Sequence, residues 1–141
     1  KVGITTVRLL SSLWVPFYKE DAINYLCDNL IQLGYATQEY KEDVFKREEM
    51  AGTAFVQGFA VPHAITVQPL RSTISVMVLK NPVKWGKYEV RLILLLSISE
   101  QDNQMLHTFF DWLSNVLIDY NQLMQFIEAD NYQQFMKLMT A

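Results

Sequence analysis

The amino-acid sequence predicts an α/β fold in which helices cover both faces of a β-sheet. Residues 90–98 form the most apolar run of the chain and do not alternate, which is typical of a strand buried on both faces. In residues 19–33 the apolar side chains step by three and four, as on one face of an amphipathic helix. Residues 104–117 show the same helical pattern after the strand. Because a strand buried on both faces needs cover on each side, helices are expected in both outer layers.

Two helices are predicted before the sheet. The first, residues 19–33, is followed by Gly34, a residue that favours the left-handed conformation at a helix end. The second, Gln38–Met50, begins after Thr37, whose hydroxyl is a common N-cap. The sequence therefore marks the turn between the two helices as well as the helices themselves.

Short β-prone segments follow Gly52. Residues 54–56 and 59–61 are two brief strands, and residues 73–79 are a longer strand rich in branched side chains. Asn81 and Pro82 are a turn signal that ends this strand before residues 90–98 begin. The sheet is thus expected between residues 54 and 98.

Three helices are predicted in the last third of the chain. Residues 104–117 carry the first, and residues 121–127 form a short second helix. Asp130 or Asn131 is expected to cap the last helix, Tyr132–Met139. The Met and aromatic side chains on these helices are interpreted as core.

Composition limits the functions that this chain can have. Its 141 residues suit one domain, which we place at residues 18–141, with residues 1–17 as a linker or a short element packed on it. A net charge of −3 argues against direct nucleic-acid contact. No apolar run is long enough to predict membrane insertion, and Cys27 is the only cysteine, so the chain is expected in the cytoplasm. A start at Lys1 rather than methionine suggests either a module of a longer polypeptide or a processed chain.

His63 is the strongest candidate for chemistry. Pro62 cannot donate to a strand ladder and holds Val61 in extended geometry, so His63 should lie where a strand ends and a loop begins. A histidine held by a scaffold and offered to a partner suits catalysis, although a single histidine is more often structural.

This stretch resembles the enzyme IIA domain of the fructose–mannitol type of the sugar phosphotransferase system (PTS). The resemblance extends from about Tyr18 to the end of the chain, and the residues that carry it are Arg47, Glu48, Met50, Thr53, Phe55, Phe59, Ala60, Val61, Pro62 and His63. It implies a mixed β-sheet between helices and a His63 that accepts a phosphoryl group from phospho-HPr on Nε2. No cofactor is implied.

Other residues are expected to assist the phosphoryl group. A guanidinium meets two phosphate oxygens at once, which makes Arg47 the natural clamp, and the resemblance adds Gln57 and His107 as phosphate-binding candidates. Hydroxyls of Thr53 or Thr66 and backbone N–H groups after Pro62 are possible neutral donors. These assignments remain expectations about which side chains share one site.

Transport-type members often have a second histidine, but His107 is one residue away from the position at which the alignment places it. Alignment of the downstream pattern places its slot on Leu106, one residue before His107. One residue is about 100° of rotation on a helix. His107 therefore faces His63 only if the preceding loop restores the register.

Several segments, Ala64 after the histidine among them, look closer to the IIA-like modules of PRD-containing transcription regulators than to transport components. The favoured hypothesis is a module that senses sugar supply through phosphorylation and acts on other domains of its polypeptide. A transport component that passes the group to a IIB cysteine is the alternative. A domain that is never phosphorylated also stays open, as does a weak metal hypothesis with His63, His107 and Asp102 or Asp111.

Overall fold

A mixed sheet of five strands forms the middle layer of the computed structural model, which describes residues 3–9, 17–129 and 131–139. The strands are β1 (Gly3–Leu9), β2 (Ala54–Phe55), β3 (Phe59–Ala60), β4 (Thr73–Trp85) and β5 (Tyr88–Ser97). They lie in the order β1-β4-β5-β3-β2, with β1 parallel to β4 and β3 parallel to β5. The other neighbours are antiparallel. The predicted mixed sheet is confirmed.

Helices cover both faces of this sheet. On one face lie α1 (Lys19–Gln32) and α2 (Gln38–Met50); on the other lie α3 (Asn103–Trp112), α4 (Tyr120–Glu128) and α5 (Tyr132–Met139). The division follows the alternation of side chains along β5, where Ile93 and Leu95 join the α1–α2 core while Leu92, Leu94 and Leu96 join the opposite core. All of these β5 side chains are buried. The prediction of a strand covered on both faces is therefore confirmed.

The helix ends have the residues expected of them. The hydroxyl oxygen of Thr37 accepts the Tyr40 N–H at 3.1 Å, so Thr37 is the N-cap of α2. Gly34 follows α1 with a φ of +79°, where a side chain would be strained. At the start of α5 the Asn131 side chain accepts the Gln134 N–H at 2.9 Å. Asp130, the other cap candidate, lies outside the described residues.

The turn predicted at Asn81 and Pro82 is wrong. Strand β4 continues through both residues to Trp85, and its pairing with β5 shifts register between Val78 and Val83. A bulge accommodates a proline because the ladder is already interrupted there. The chain reverses instead at Gly86, whose φ of +64° suits the first position of a two-residue hairpin loop.

The remaining differences lie at the two ends of the chain. Residues 3–9, within the segment predicted as a linker or packed element, form β1 and pair in register with residues 73–79. The domain boundary at residues 17 and 18 stays a prediction. The helix predicted at residues 104–117 is α3 followed by a π-helical turn, Leu113–Leu117.

Candidate functional site

His63 lies just beyond the end of β3, where the chain leaves the sheet. Phe59 and Ala60 pair with β5, and the chain stays beside that strand because the Leu96 N–H donates to the Pro62 carbonyl at 3.0 Å. His63 itself forms one isolated bridge to Leu96. The expected position, where a strand gives way to a loop, is confirmed.

The imidazole of His63 is held by its own backbone. Its Nδ1 atom lies 2.9 Å from the Val61 carbonyl oxygen, and a carbonyl only accepts, so Nδ1 carries the proton. In the neutral ring the lone pair is then on Nε2. The ring is half-buried and borders a pocket, so it is neither enclosed in the core nor fully in solvent.

The pocket beside His63 has a volume of about 280 Å³. Its walls are the loop after His63, the end of β5 and the first turns of α3, and the residues that line it are Tyr40, His63, Ala64, Ile65, Val67, Gln68, Pro69, Leu96, Ile98, Leu106 and Phe110. Ile65 and Phe110 are more than 40% exposed at its rim. The site is thus a shallow, mainly apolar depression with a histidine in it.

Asp43 fixes the loop that follows His63. Its Oδ2 atom accepts the backbone N–H groups of Ile65, Thr66 and Val67 at 2.9, 2.8 and 2.8 Å. Burial raises the pKa of Asp43, but the three amides, together with the nearby Lys46, lower that pKa by more, so the net shift is downward. Asp43 is only 8% exposed and is therefore a structural anion. These three N–H groups, some of the neutral donors expected after Pro62, point at Asp43.

Tyr40 holds the opposite wall of the pocket. Its hydroxyl donates to the Leu96 carbonyl at 3.0 Å and lies 2.7 Å from the Ser97 hydroxyl. Burial raises the pKa of Tyr40 well above its ordinary value, so the phenol stays protonated. Tyr40 and Asp43 are three residues apart on α2 and share a face of that helix. One face of α2 is thus hydrogen-bonded both to the end of β5 beside His63 and to the loop that follows His63.

Arg47 lies one turn after Asp43. Residues 43 and 47 are about 40° apart around the helix, so Arg47 belongs to the same face of α2. Its Nη1 atom donates to the Ala51 carbonyl at 2.6 Å, just past the end of α2, and the residue is half-buried. Arg47 does not line the pocket itself. Its predicted role as a phosphate clamp remains a prediction.

Glu48, the second residue of the Arg-Glu pair, has a structural role. Its carboxylate accepts the Thr53 N–H at 3.0 Å, the Thr53 hydroxyl at 2.7 Å and the Trp85 indole N–H at 3.0 Å. Lys19 lies 3.9 Å away. The Thr53 carbonyl in turn accepts the Val61 N–H, so Glu48 ties α2 to the chain that carries His63. The Thr53 hydroxyl is consequently committed to Glu48 rather than to a ligand.

Gln57 and His107, the other two predicted phosphate-binding residues, also lie outside the pocket wall. Gln57 is in the turn between β2 and β3, so β3 separates it from His63. His107 is exposed on α3, and Leu106 takes the place beside His63. The structure therefore brings together His63 and Leu106, in the register that the alignment indicates. Thr66 is exposed, with its N–H bound to Asp43.

Sequence reasoning missed Asp43, although it left a signal. Tyr40 and Val44 are buried apolar residues of α2, and Asp43, three residues after Tyr40, lies on the same side of the helix. A carboxylate on the buried side of a helix is rare without a partner. That position alone marked Asp43 as a residue with a specific task.

The metal hypothesis gains no support within the described ranges. No group of three or more His, Cys, Asp or Glu is placed there to hold an ion. Asp102 accepts the hydroxyls of Ser72 and Ser99, and these bonds lower its pKa. No helix in the described part of the chain is long and apolar enough to cross a membrane.

Known proteins are similar to this sequence over 65% to 86% of its length. The probable licABCH operon regulator of Bacillus subtilis (strain 168) is 28% identical over 82% of this chain, and the transcriptional regulator ManR of the same strain is 33% identical over 65%. The multiphosphoryl transfer protein of Shigella flexneri is 31% identical over 86%. The matches span 18%, 14% and 15% of those proteins, so the chain corresponds to less than a fifth of each relative.

Solved structures share the fold. The crystal structure of the mannitol IIA protein of Escherichia coli superposes with a TM-score of 0.74 at 20% identity, covering 92% of this chain and 94% of that one. The IIA protein in the complex of enzyme IIAMTL with phosphorylated enzyme IIBMTL from the same organism gives 0.75 at 19% identity, with coverages of 95% and 99%. The model of the family described as the phosphoenolpyruvate-dependent sugar phosphotransferase system, EIIA 2, matches residues 17–141. The chain therefore belongs to the EIIA 2 family of the sugar phosphotransferase system.

Proposed function

We propose that this chain is a phosphoryl-accepting IIA domain that takes its phosphoryl group from phospho-HPr in the cytoplasm, with His63 as the acceptor. The observation that carries the proposal is the hydrogen bond between His63 Nδ1 and the Val61 carbonyl, at 2.9 Å. It leaves Nε2 of the neutral ring as the nucleophilic atom beside an open pocket. Family membership supports the same chemistry.

The reaction needs little covalent machinery. The Nε2 lone pair of His63 forms a bond to phosphorus while the bond from phosphorus to the donor's imidazole nitrogen breaks, and that electron pair stays on the donor nitrogen. One neutral imidazole replaces another, so the step requires no oxidant and no net proton transfer. Its rate depends on the alignment of the two rings and on charge neutralisation at the phosphoryl oxygens.

Arg47 is the proposed source of that neutralisation. It shares the α2 face with Tyr40 and Asp43, both of which border or hold the His63 loop. Its present partner is the Ala51 carbonyl, an exposed contact that contributes little and is readily exchanged for a phosphate. A guanidinium that moves from a carbonyl to a phosphoryl group stays charged throughout the reaction.

The surroundings of the pocket suit a protein donor. Four apolar side chains on the segments around it are more than 40% exposed: Ile65, Leu70, Met105 and Phe110. Exposed apolar side chains that cluster near a functional site are typical of protein interaction surfaces. This surface supports HPr, and after it a IIB or regulator domain, as partners of the chain.

A regulatory use of the phosphoryl group is the finer proposal. Transport-type members resemble this chain but often have histidine at the slot of Leu106, whereas here an apolar side chain lines the pocket. Two relatives are named as regulators, and their similarity covers most of this chain. A transport role is the second candidate, favoured by the similarity to a multiphosphoryl transfer protein.

The test is phosphorylation by the complete relay. The wild-type chain, incubated with phosphoenolpyruvate, enzyme I and HPr, is expected to gain one acid-labile phosphoryl group, and His63→Ala is expected to gain none. His107→Ala is the matched control and should label like the wild type. A wild-type chain that stays unlabelled is a non-phosphorylated interaction domain, and the proposal is then wrong. Transfer from the labelled chain to a IIB cysteine would favour transport over regulation.

A further inference from the structure

We propose that Asp43 is a positioning residue for the phosphoryl transfer, because it locks the loop after His63 onto the helix that carries Arg47. This inference rests on the proposed function. Asp43 does not line the pocket, and its hydrogen bonds go to the backbone of residues 65–67. Its effect on the reaction therefore has to pass through the backbone of the loop.

The first step of the argument is the geometry of the bonds. One carboxylate oxygen, Oδ2, accepts three successive backbone N–H groups within 2.9 Å, from Ile65, Thr66 and Val67. Successive N–H groups that converge on one point form a concave anion-binding site, and here an internal carboxylate fills it. A filled site of this kind is much more rigid than a loop held by water. Residues 65–67 thus have one favoured conformation.

The second step is what the loop carries. His63 precedes it by two residues, and Ile65 and Val67 form part of the pocket wall. Upstream, the chain is held by the Val61 carbonyl on Nδ1 and by the Leu96 N–H on the Pro62 carbonyl. Without Asp43, residues 65–67 lose these three hydrogen bonds, and the next hydrogen bonds downstream are those of Gln68, Leu70 and Arg71. Misplacement of a reacting group by about 1 Å costs about a hundredfold in rate.

The third step is the connection to Arg47. Asp43 and Arg47 are one turn apart on α2, and that helix is fixed to the sheet by Tyr40 and Glu48. The three hydrogen bonds from backbone amides to Asp43 therefore set the position of the His63 loop relative to the Arg47 guanidinium. A loop that drifts from α2 changes the distance between nucleophile and clamp. In-line phosphoryl transfer depends on this distance, so a change in it should slow the reaction.

The experiment compares Asp43→Ala and Asp43→Asn with the wild-type chain in single-turnover phosphorylation by excess phospho-HPr. Here kcat is the limiting rate constant of labelling at saturating phospho-HPr, and KM is the phospho-HPr concentration that gives half of that rate constant. Asparagine retains a carbonyl acceptor for the amides, whereas alanine retains none. We expect kcat to fall about a hundredfold in Asp43→Ala and about threefold to tenfold in Asp43→Asn, with KM for phospho-HPr changed less than about threefold in both. Amide hydrogen exchange at residues 65–67 should accelerate in Asp43→Ala.

Thr37→Ala is the control for a general loss of helix stability. It removes the N-cap of α2 without touching the His63 loop, and should lower Tm by about 3 to 4 °C while kcat stays within about twofold. If Asp43→Ala folds and labels with the wild-type kcat, the positioning role is wrong while the proposed function stands. If only KM rises, Asp43 acts on donor binding and the inference is also wrong. A wild-type chain that never labels overturns the proposed function and this role together.

Should Asp43→Ala fail to fold, Asp43→Asn carries the test, since it keeps the acceptor. A kcat lowered about threefold to tenfold in this variant at unchanged KM supports the inference. An unchanged kcat together with unchanged exchange at residues 65–67 contradicts it.

Discussion

His63 Nδ1 lies 2.9 Å from the carbonyl oxygen of Val61, two residues earlier in the same chain. Pro62, between them, has no N–H and a restricted φ, so this short contact is built into the local sequence rather than assembled from distant parts. The contact determines which nitrogen is protonated. It also holds the ring at a fixed angle to the end of β3.

The clamp role of Arg47 predicts a graded loss of activity. Arg47→Lys keeps the charge but loses the two-pronged geometry, and should reduce the rate of phosphorylation about tenfold; Arg47→Ala should reduce it about a hundredfold. Because the bond to Ala51 is exposed, the free energy of unfolding should fall by about 1 kcal/mol or less. Time-resolved labelling by phospho-HPr measures the rate of phosphorylation, and urea denaturation measures the free energy of unfolding. Equal rates in all three proteins would exclude the clamp.

Leu106 and His107 give a matched test of which residue faces His63. Leu106→Glu places a negative charge in the pocket beside the incoming phosphoryl group and should slow labelling at least about tenfold. His107→Glu places the same charge on the exposed side of α3 and should change the rate less than about twofold. A larger effect at His107 than at Leu106 would contradict the helix register described above.

Glu48 should matter for stability more than for chemistry. Glu48→Ala leaves the N–H and hydroxyl of Thr53 and the indole N–H of Trp85 without their acceptor, which should lower the free energy of unfolding by about 3 kcal/mol. Glu49, its exposed neighbour, provides the control, and Glu49→Ala should cost less than about 0.5 kcal/mol. Urea denaturation of both variants is the measurement. Similar losses would mean that the buried contacts of Glu48 contribute nothing.

Asp43 predicts a dependence of stability on pH. Its pKa in the folded chain is below the ordinary value of 3.8, so the unfolded chain binds the proton more readily. The stabilisation is fully present above about pH 4 and is lost as the pH falls through the folded pKa. Asp43→Asn should flatten this part of the profile relative to the wild type, with Asp102 and the remaining carboxylates unchanged between the two. Identical slopes in unfolding experiments between pH 2.5 and 5 would refute the shift.

The layers of the fold were predictable because one strand determined them. An apolar run without alternation requires cover on two faces, and the helical periodicities on either side of it provided that cover. The position of His63 was equally predictable, since Pro62 limits what precedes it. The continuation of β4 through Asn81 and Pro82 was not predictable from the sequence. Pairing with β5 outweighed the local turn signal, and a bulge accommodates the proline.

The parts of the site that come from distant segments were beyond sequence patterns. Nothing local states that Asp43 meets residues 65–67, more than twenty positions later, or that the Glu48 carboxylate reaches Trp85. The choice between Leu106 and His107 depended on a helix register that one inserted loop residue would change. In the structure Leu106 lines the pocket beside His63 and His107 does not, while a role for His107 in phosphate binding stays a prediction.

The most direct test of the account is the site of phosphorylation within the His63 ring. A chain labelled with ¹⁵N-histidine, phosphorylated by phospho-HPr and observed by long-range ¹H–¹⁵N NMR, should show the adduct on Nε2 of His63, with the proton kept on Nδ1. An adduct on Nδ1, or on His107, would contradict the arrangement in which the Val61 carbonyl reserves Nε2 for the phosphoryl group.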